Sequence, residues 1–212
     1  MRVETAIVHF QTPDLLRQTV DSFCAHCPGE RVLIVDNGSK DGSTSVVEAL
    51  AAEHSPVEVR MLAENIYHGP AMDLVLQETK AEVVFFLDSD TVTHRGGFIE
   101  PMVALLEAPG VLASGQVATV DGRGFAASSG IPVPVSAFMA IQVERYRRLP
   151  PFRHHGLPVL ETCRRAAELG LEIAPFPIEQ YVEHLGRGTA ERFGYGLGWK
   201  SRLSYLLHRL GL

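Results

Sequence analysis

Residues Val83 to Val92 read VVFFLDSDTV. Five β-branched, aromatic and aliphatic residues in succession read as a strand with no solvent face. Such strands sit inside parallel sheets covered by helices on both sides. The run stops at Asp88 and Asp90, with Ser89 between them. Carboxylates at the end of a buried strand cost free energy unless something pairs with them. In an extended chain residues i and i+2 face the same way, so Asp88 and Asp90 are expected to share one space, with Ser89 turned aside. Two close carboxylates repel unless a cation or hydrogen-bond donors lie between them. A hard divalent cation with oxygen ligands is a natural partner, and such an ion commonly holds phosphates as well. The other reading is a pair that caps the following turn, and a D-x-D alone is common enough to leave both open.

The flanking sequence repeats the same grammar. TAIVHF is a first apolar run ending near Gln11, RVLIVDNGS carries a second, and VEVRML reads as a third strand. Between them PDLLRQTVDSFCAH has helical spacing at Leu15, Leu16, Thr19, Val20 and Phe23. SVVEALAAE reads as a helix with a capping box of Ser45 and Glu48, and GPAMDLVLQET as another. Strands alternating with helices predict parallel pairing through right-handed crossovers. Beyond the fourth strand the pattern is less regular. VATVDGRGF predicts a hairpin turning at Asp121-Gly122. PVPVSAFMAIQVERY predicts a strand leading into a helix, LETCRRAAELGL a helix with Gly170 near its end, and EIAPFPI an extended segment. The expected fold class is α/β, with a mostly parallel central sheet flanked by helices.

The chain of 212 residues is 46% hydrophobic and 21% charged, the balance of an ordinary soluble globular protein. Its net charge of -6 argues against a nucleic-acid partner. Cys24 and Cys27 form a C-x-x-C, but with only Cys163 besides there is no second pair for a zinc site. They read as small residues near a helix end. Neither a signal peptide nor a membrane span is visible, so the expected location is the cytoplasm, with peripheral contact at a membrane as a variant.

In open parallel sheets ligands bind outside the carboxyl ends of the strands. The first strand ends at HFQT with Phe10, the second at Asp36, the third near Asn65, and the fourth at Asp88 and Asp90. Four segments far apart in sequence thus deliver polar groups to one rim. Asp36 follows four apolar residues and is placed to accept hydrogen bonds from a nucleobase or ribose. Asn65 and Gly69 precede a helix N-terminus, where backbone donors can hold a phosphate. Ordinary turn and loop chemistry accounts for much of both stretches.

With AIVHFQTPDLL, VLIVDNGSKDGS, ENIYHGPAMDL, FFLDSDTV and GGFIEPMVALL in this order, the chain resembles the inverting family 2 glycosyltransferases over about residues 3 to 106. A weaker likeness continues through FMAIQVERYRRLPPF, ETCRRAAELGLEI and YVEHLGRGT. The resemblance implies a GT-A nucleotide-sugar-binding fold. It implies transfer of a sugar from a nucleotide-diphosphate donor to an acceptor hydroxyl with inversion, and Mn2+ or Mg2+ as cofactor. It makes Asp36 the residue that reads the base. Phe10, Asn65, Asp88 and Ser89 then line the nucleotide, Asp90 and Asp88 hold the metal, and His184 joins them. The acceptor, whether saccharide, lipid-linked or a small molecule, is not specified.

The chain departs from the family at three places. Tyr67 stands where Gly is frequent, and Asp73 where Asn is. The acidic pair that usually includes the catalytic base is missing, since aligning RRAAELG with the family's helix leaves Pro158 and Val159 there. Glu161, His155 and His154 remain as base candidates, with Glu161 first and His155 second. A nucleotidyltransferase is the other enzyme reading, although HFQTPD lacks its glycine- and lysine-rich first loop. A non-catalytic nucleotide-sugar binding module or partner subunit is the second class.

Two units are expected: residues 1–196 as the nucleotide-sugar-binding domain and 197–212 as an amphipathic helical tail. In the tail Trp199, Leu203, Leu206, Leu207 and Leu210 fall on one helical face. From Leu185 onward there are five Lys/Arg against one Asp/Glu. A basic amphipathic helix suits an anionic membrane surface, and docking on the domain itself or on a second copy in a homodimer is the alternative.

Overall fold

The computed structural model describes residues 1–153 and 157–186. The stretch 197–212 expected to form an amphipathic helical tail, together with His154 and His155, lies outside the described residues. The expected alternation is present: β1 (Val3–His9), α1 (Pro13–His26), β2 (Val32–Asp36), α2 (Ser43–Glu53), β3 (Val57–Met61), α3 (His68–Glu78) and β4 (Val83–Leu87). β1 pairs in parallel with β2 on one side and β4 on the other, and β2 pairs in parallel with β3. The register sets His9 beside Asp36 and Asp36 beside Met61, so these strands end level. Chain order reverses across β1, which opens a crevice at the carboxyl ends of β1 and β4.

Both faces of β1, β2 and β4 are largely buried, as their apolar runs require, while β3 at the sheet edge is partly exposed. Ile7, Ile34, Phe85 and Leu87 point into one core with Leu16, Val20 and Phe23 of α1 and Val47 and Leu50 of α2. Ala6, Val8, Val35, Val84 and Phe86 point into the other, against Ala71, Met72, Val75 and Leu76 of α3. Phe85 lies between Phe23 and Phe98, with ring centroids 6.4 and 5.5 Å away, distances at which offset and tilted aromatic pairs attract.

The remaining elements extend this sheet and reverse its direction. They are β5 (Thr91–Thr93), α4 (Ile99–Leu106), β6 (Val111–Val120), β7 (Ile131–Gln142), α5 (Val143–Tyr146), α6 (Leu160–Glu168), β8 (Glu172–Pro175) and β9 (Val182–His184). β7 runs antiparallel to β4 and to β6, and β8 lies parallel to β6 at the edge. The strand order is β3-β2-β1-β4-β7-β6-β8, with β5 and β9 as a separate antiparallel pair.

Two local expectations are corrected and one is met. Ser45 is not an N-cap: α2 starts at Ser43, and the Ser45 hydroxyl donates back to the Gly42 carbonyl. The hairpin expected at Asp121-Gly122 is present: the Gly124 N–H donates to the Asp121 carbonyl, the Asp121 N–H donates to the Phe125 carbonyl and Val120 bridges Ala126 in the antiparallel sense, while β7, the long partner of β6, follows after a further loop. There Asp121 Oδ1 accepts from the backbone N–H groups of Arg123 and Phe125, which holds the turn. The fourth strand ends at Leu87 rather than running through Asp90. Cys27 and Cys163 are free thiols pushed up to about 12 by burial, which keeps them protonated and inert. Among the described residues no helix is long and apolar enough to cross a membrane.

Candidate functional site

The two aspartates share a space through a turn, not through the pleat of a strand. After Leu87 the Asp88 N–H donates to the Ala137 carbonyl of β7, and the Thr91 hydroxyl donates to the Asp88 carbonyl. The chain then re-enters extended structure in β5, which is held on both sides. On one side Thr19 and Ser22 of α1 accept from the Thr91 and Thr93 N–H groups through their hydroxyls. On the other, β9 pairs with β5 so that His184 lies opposite Thr91. The Leu185 N–H donates to the Asp90 carbonyl and extends the pairing into the aspartate turn.

This three-residue ladder carries His184 across 94 positions of sequence to Asp90, Nε2 to Oδ1 3.1 Å. Asp88 Oδ2 is 3.8 Å from the same nitrogen. Ligand atoms of Asp88, Asp90 and His184 all lie within 4.8 Å of one another. The His184 ring meets Phe138 of β7 edge-on, with centroids 6.5 Å apart, which fixes its plane. Burial pushes the Asp88 carboxyl above its ordinary range. The hydrogen bond to Asp90, aided by both negative charges, raises His184. Two carboxylate oxygens and one imidazole nitrogen make a donor set that fits Mn2+ and also accommodates Mg2+. The structure brings these three residues together, and Ser89 lies buried within the turn.

Asp36 is buried at the end of β2, where the backbone N–H and hydroxyl of Ser39 both donate to its carboxylate. Ser39 Oγ in turn accepts from the Gln11 N–H, 3.0 Å, which draws the loop after Phe10 onto Asp36. Asn65 has a structural task as well. Its Oδ1 accepts from Asn37 Nδ2 (3.1 Å) and from the Tyr67 N–H (2.7 Å), while Asn37 Oδ1 accepts from the Ile66 N–H. The two loops lie so close that a Cβ on Gly38 would come within 2.3 Å of the Glu64 carbonyl carbon, and φ there is 75°.

Two rim features were not legible as site residues. Gln11 (φ 54°) and Tyr67 (φ 71°) are the only non-glycine residues with positive φ among the described residues, and both border this rim. Tyr67 combines that φ with ψ 162°, a region that normally belongs to glycine. This accounts for the frequent glycine at its place in the family. His68, the first residue of α3, stands with Nε2 3.5 Å from Asp88 Oδ1. Its signal was present in the stretch YHGPAMD, whose helix start was read for backbone donors alone.

Of the base candidates, Glu161 lies in the first turn of α6 and is ion-paired with Arg164, 2.7 Å. Val159 is fully buried. His155 falls outside the described residues. Asp73 accepts from the Tyr146 hydroxyl, 2.7 Å, and the Phe152 N–H donates to that hydroxyl, 3.0 Å. The carboxylate at this place therefore ties α3 to the chain ahead of α6.

Comparison with known proteins agrees with this fold. The model of the glycosyl transferase family 2 matches residues 5–165. No curated protein sequence matches. Among solved structures, mannosyltransferase PcManGT from Pyrobaculum calidifontis, in complex with GDP-Man and Mn2+, superposes with a TM-score of 0.69 at 20% identity. That likeness covers 83% of this chain and 55% of PcManGT. GalNAc-T7 with UDP, GalNAc and Mn2+ gives 0.67 at 14% identity, over 84% of this chain and 42% of that one. S. aureus TarS 1-349 in complex with UDP-GlcNAc gives 0.62 at 17% identity, over 87% and 60%. The shared feature is the GT-A fold, and this chain spans between two fifths and three fifths of these proteins' length.

Proposed function

This chain belongs to glycosyl transferase family 2, and we propose from that premise that it moves a sugar from a nucleotide-diphosphate donor to an acceptor hydroxyl, with inversion and dependence on Mn2+ or Mg2+. The observation that carries the proposal is the convergence of Asp88, Asp90 and His184 at the crevice between β1 and β4. Asp36, Phe10 and Asn65 line the adjoining rim for the nucleoside, and Ser89 lies in the turn beside the diphosphate. A divalent cation held by Asp88, Asp90 and His184 supplies positive charge to the departing diphosphate when bound.

In the transfer the acceptor oxygen bonds to the anomeric carbon from the face opposite the diphosphate. The carbon–oxygen bond to the diphosphate breaks, and its electron pair leaves with the phosphate. The acceptor proton passes to a side chain within hydrogen-bond reach. We assign that base to Glu161 first and His155 second. Glu161→Gln should lose turnover while keeping nucleotide affinity. Full turnover in that variant, with loss in His155→Ala, reverses the order.

A second reading, a non-catalytic nucleotide-sugar binding module, is favoured by one observation. Where the family carries its acid this chain buries Val159, and Glu161 is already paired with Arg164. A thermal-shift screen of nucleoside diphosphates with and without Mn2+ tests the shared part, because a ligand of the folded state raises the melting temperature. Release of free nucleotide from UDP- and GDP-sugars separates the two readings. A module saturates without turnover, and an absence of any Mn2+-dependent shift refutes both. The basic stretch from Leu185 onward is proposed to meet either an anionic membrane surface or a second copy of the chain. Equal pelleting of intact and tail-deleted protein with anionic liposomes rules out the membrane.

A further inference from the structure

Asp88 presents its two oxygens to two histidines. Oδ2 faces His184 Nε2 at 3.8 Å, on the side of Asp90, while Oδ1 faces His68 Nε2 at 3.5 Å. The triad accounts for only one of these oxygens. A carboxylate that offers one oxygen to an ion is free to rotate unless its other oxygen is held, and groups that hold the second oxygen set both ligand orientation and affinity.

His68 is well placed to hold it. It opens α3, whose start is pinned from two directions. Gly69 packs so closely beneath the neighbouring segment that a Cβ would come within 1.9 Å of the Arg153 carbonyl oxygen. One turn further on, Asp73 accepts from the Tyr146 hydroxyl. The imidazole itself is part-exposed, with 40% of its side-chain surface open. It is not a core residue whose loss would empty a cavity.

We propose that His68 is a positioning residue of the cation site: its Nε2–H donates to Asp88 Oδ1 and turns Oδ2 toward the ion shared with Asp90 and His184. The inference rests on the cation reading given above. It assigns a task to the N-terminal residue of α3 beyond the nucleotide binding expected there. It also makes the rigid start of α3 a determinant of metal affinity.

The test is Mn2+ affinity of the full chain, measured by the loss of the free-ion resonance in electron paramagnetic resonance titrations. Titrations are run with Mn2+ alone and with UDP or GDP present. His68→Ala is expected to weaken Mn2+ about tenfold or more, the range for lost partners of metal ligands. His68→Gln, which restores an N–H donor near the position of Nε2, is expected to return affinity to within about threefold of the parent. Melting temperatures of both variants should stay near the parent's. Two results overturn the proposal while leaving the cation site intact: His68→Ala within twofold of the parent, or His68→Gln as weak as His68→Ala. Asp90→Asn is the control. If it binds Mn2+ as the parent does, or if the parent binds none, the cation reading fails and this inference with it.

Discussion

Residues 3–87 and residues 111–186 contribute to one continuous sheet by opposite means. In the first, β1, β2 and β4 carry apolar runs largely buried on both faces, β3 is a partly exposed edge strand, and each connection is a helix that local spacing announces. In the second, β6 and β7 are long, antiparallel and joined by a loop, and β8 is an edge strand of which no residue is fully buried. The first half builds a rigid platform and ends it in polar residues. The second half covers one flank of that platform and returns a single histidine to it. Rigidity and site assembly are thus divided between the halves, and each can be perturbed without the other.

The sharpest way to break this division is through stability. Phe85→Ala empties the contact between Phe23 and Phe98 and should cost about 3–5 kcal/mol. Ile173→Ala on β8, which is only partly buried, should cost about 1 kcal/mol. Urea titrations of the two variants check this. Equal losses would mean that the antiparallel flank is as much a part of the cooperative core as the parallel platform.

The next test separates the ligands from their scaffold. Glu183 pairs with Val92 in the short ladder and is not a ligand. Glu183→Pro removes a ladder donor and should weaken Mn2+ about tenfold, roughly 1.4 kcal/mol, with little change in melting temperature. His184→Ala should give a similar loss. If Glu183→Pro leaves Mn2+ affinity untouched, His184 reaches Asp90 without help from β9.

A smaller effect is expected at the loop before α3. Tyr67 occupies backbone geometry suited to glycine, so Tyr67→Gly should raise unfolding free energy by about 1 kcal/mol. Nucleotide affinity should fall in the same variant if the aromatic ring borders the ligand. Stabilisation without loss of affinity would mark the strain as incidental to function.

The smallest concerns His9, wholly buried at the end of β1 with neither ring nitrogen hydrogen-bonded and Nε2 3.9 Å from Asp36 Oδ1. Burial lowers its pKa, with Asp36 acting in the opposite sense. The unfolded chain therefore takes up a proton near its ordinary value of about 6.5 that the folded chain refuses. Stability contributed by neutral His9 is present above that pH and declines as pH falls below it. His9→Leu should lose fewer degrees of melting temperature than the parent between pH 7.5 and pH 5.5. An identical acid decline in both proteins would assign it to other groups.

How much of this was visible in the residues differs along the chain. VVFFL and LIV announce buried strands because burial on both faces leaves only apolar side chains acceptable. The spacing of Leu15, Leu16, Thr19, Val20 and Phe23 announces α1 because a helix buries one stripe. Asp36, Asp88 and Asp90 were legible because a polar residue that breaks such a run at a strand's carboxyl end falls at a level set by the register. His184 was identified only through resemblance: nothing in VEH marks a three-residue strand, and its partner Thr91–Thr93 hides behind the aspartate turn. The Ser45 cap failed for a related reason. Such a motif is compatible with several local geometries, and the neighbouring elements choose among them.

The sequence by itself determined the α/β class, the parallel order of elements in the first half, and the rim to which Asp36, Asp88 and Asp90 belong. Those follow from periodicity and burial, which act over a few residues. Only the tertiary structure decided that His184 closes on Asp90, that His68 faces the other oxygen of Asp88, and that Tyr67 bears a strained backbone beside them. These depend on strand pairing and close packing between segments tens of residues apart. The free energy of such contacts is shared among many side chains, and no single stretch of sequence carries it.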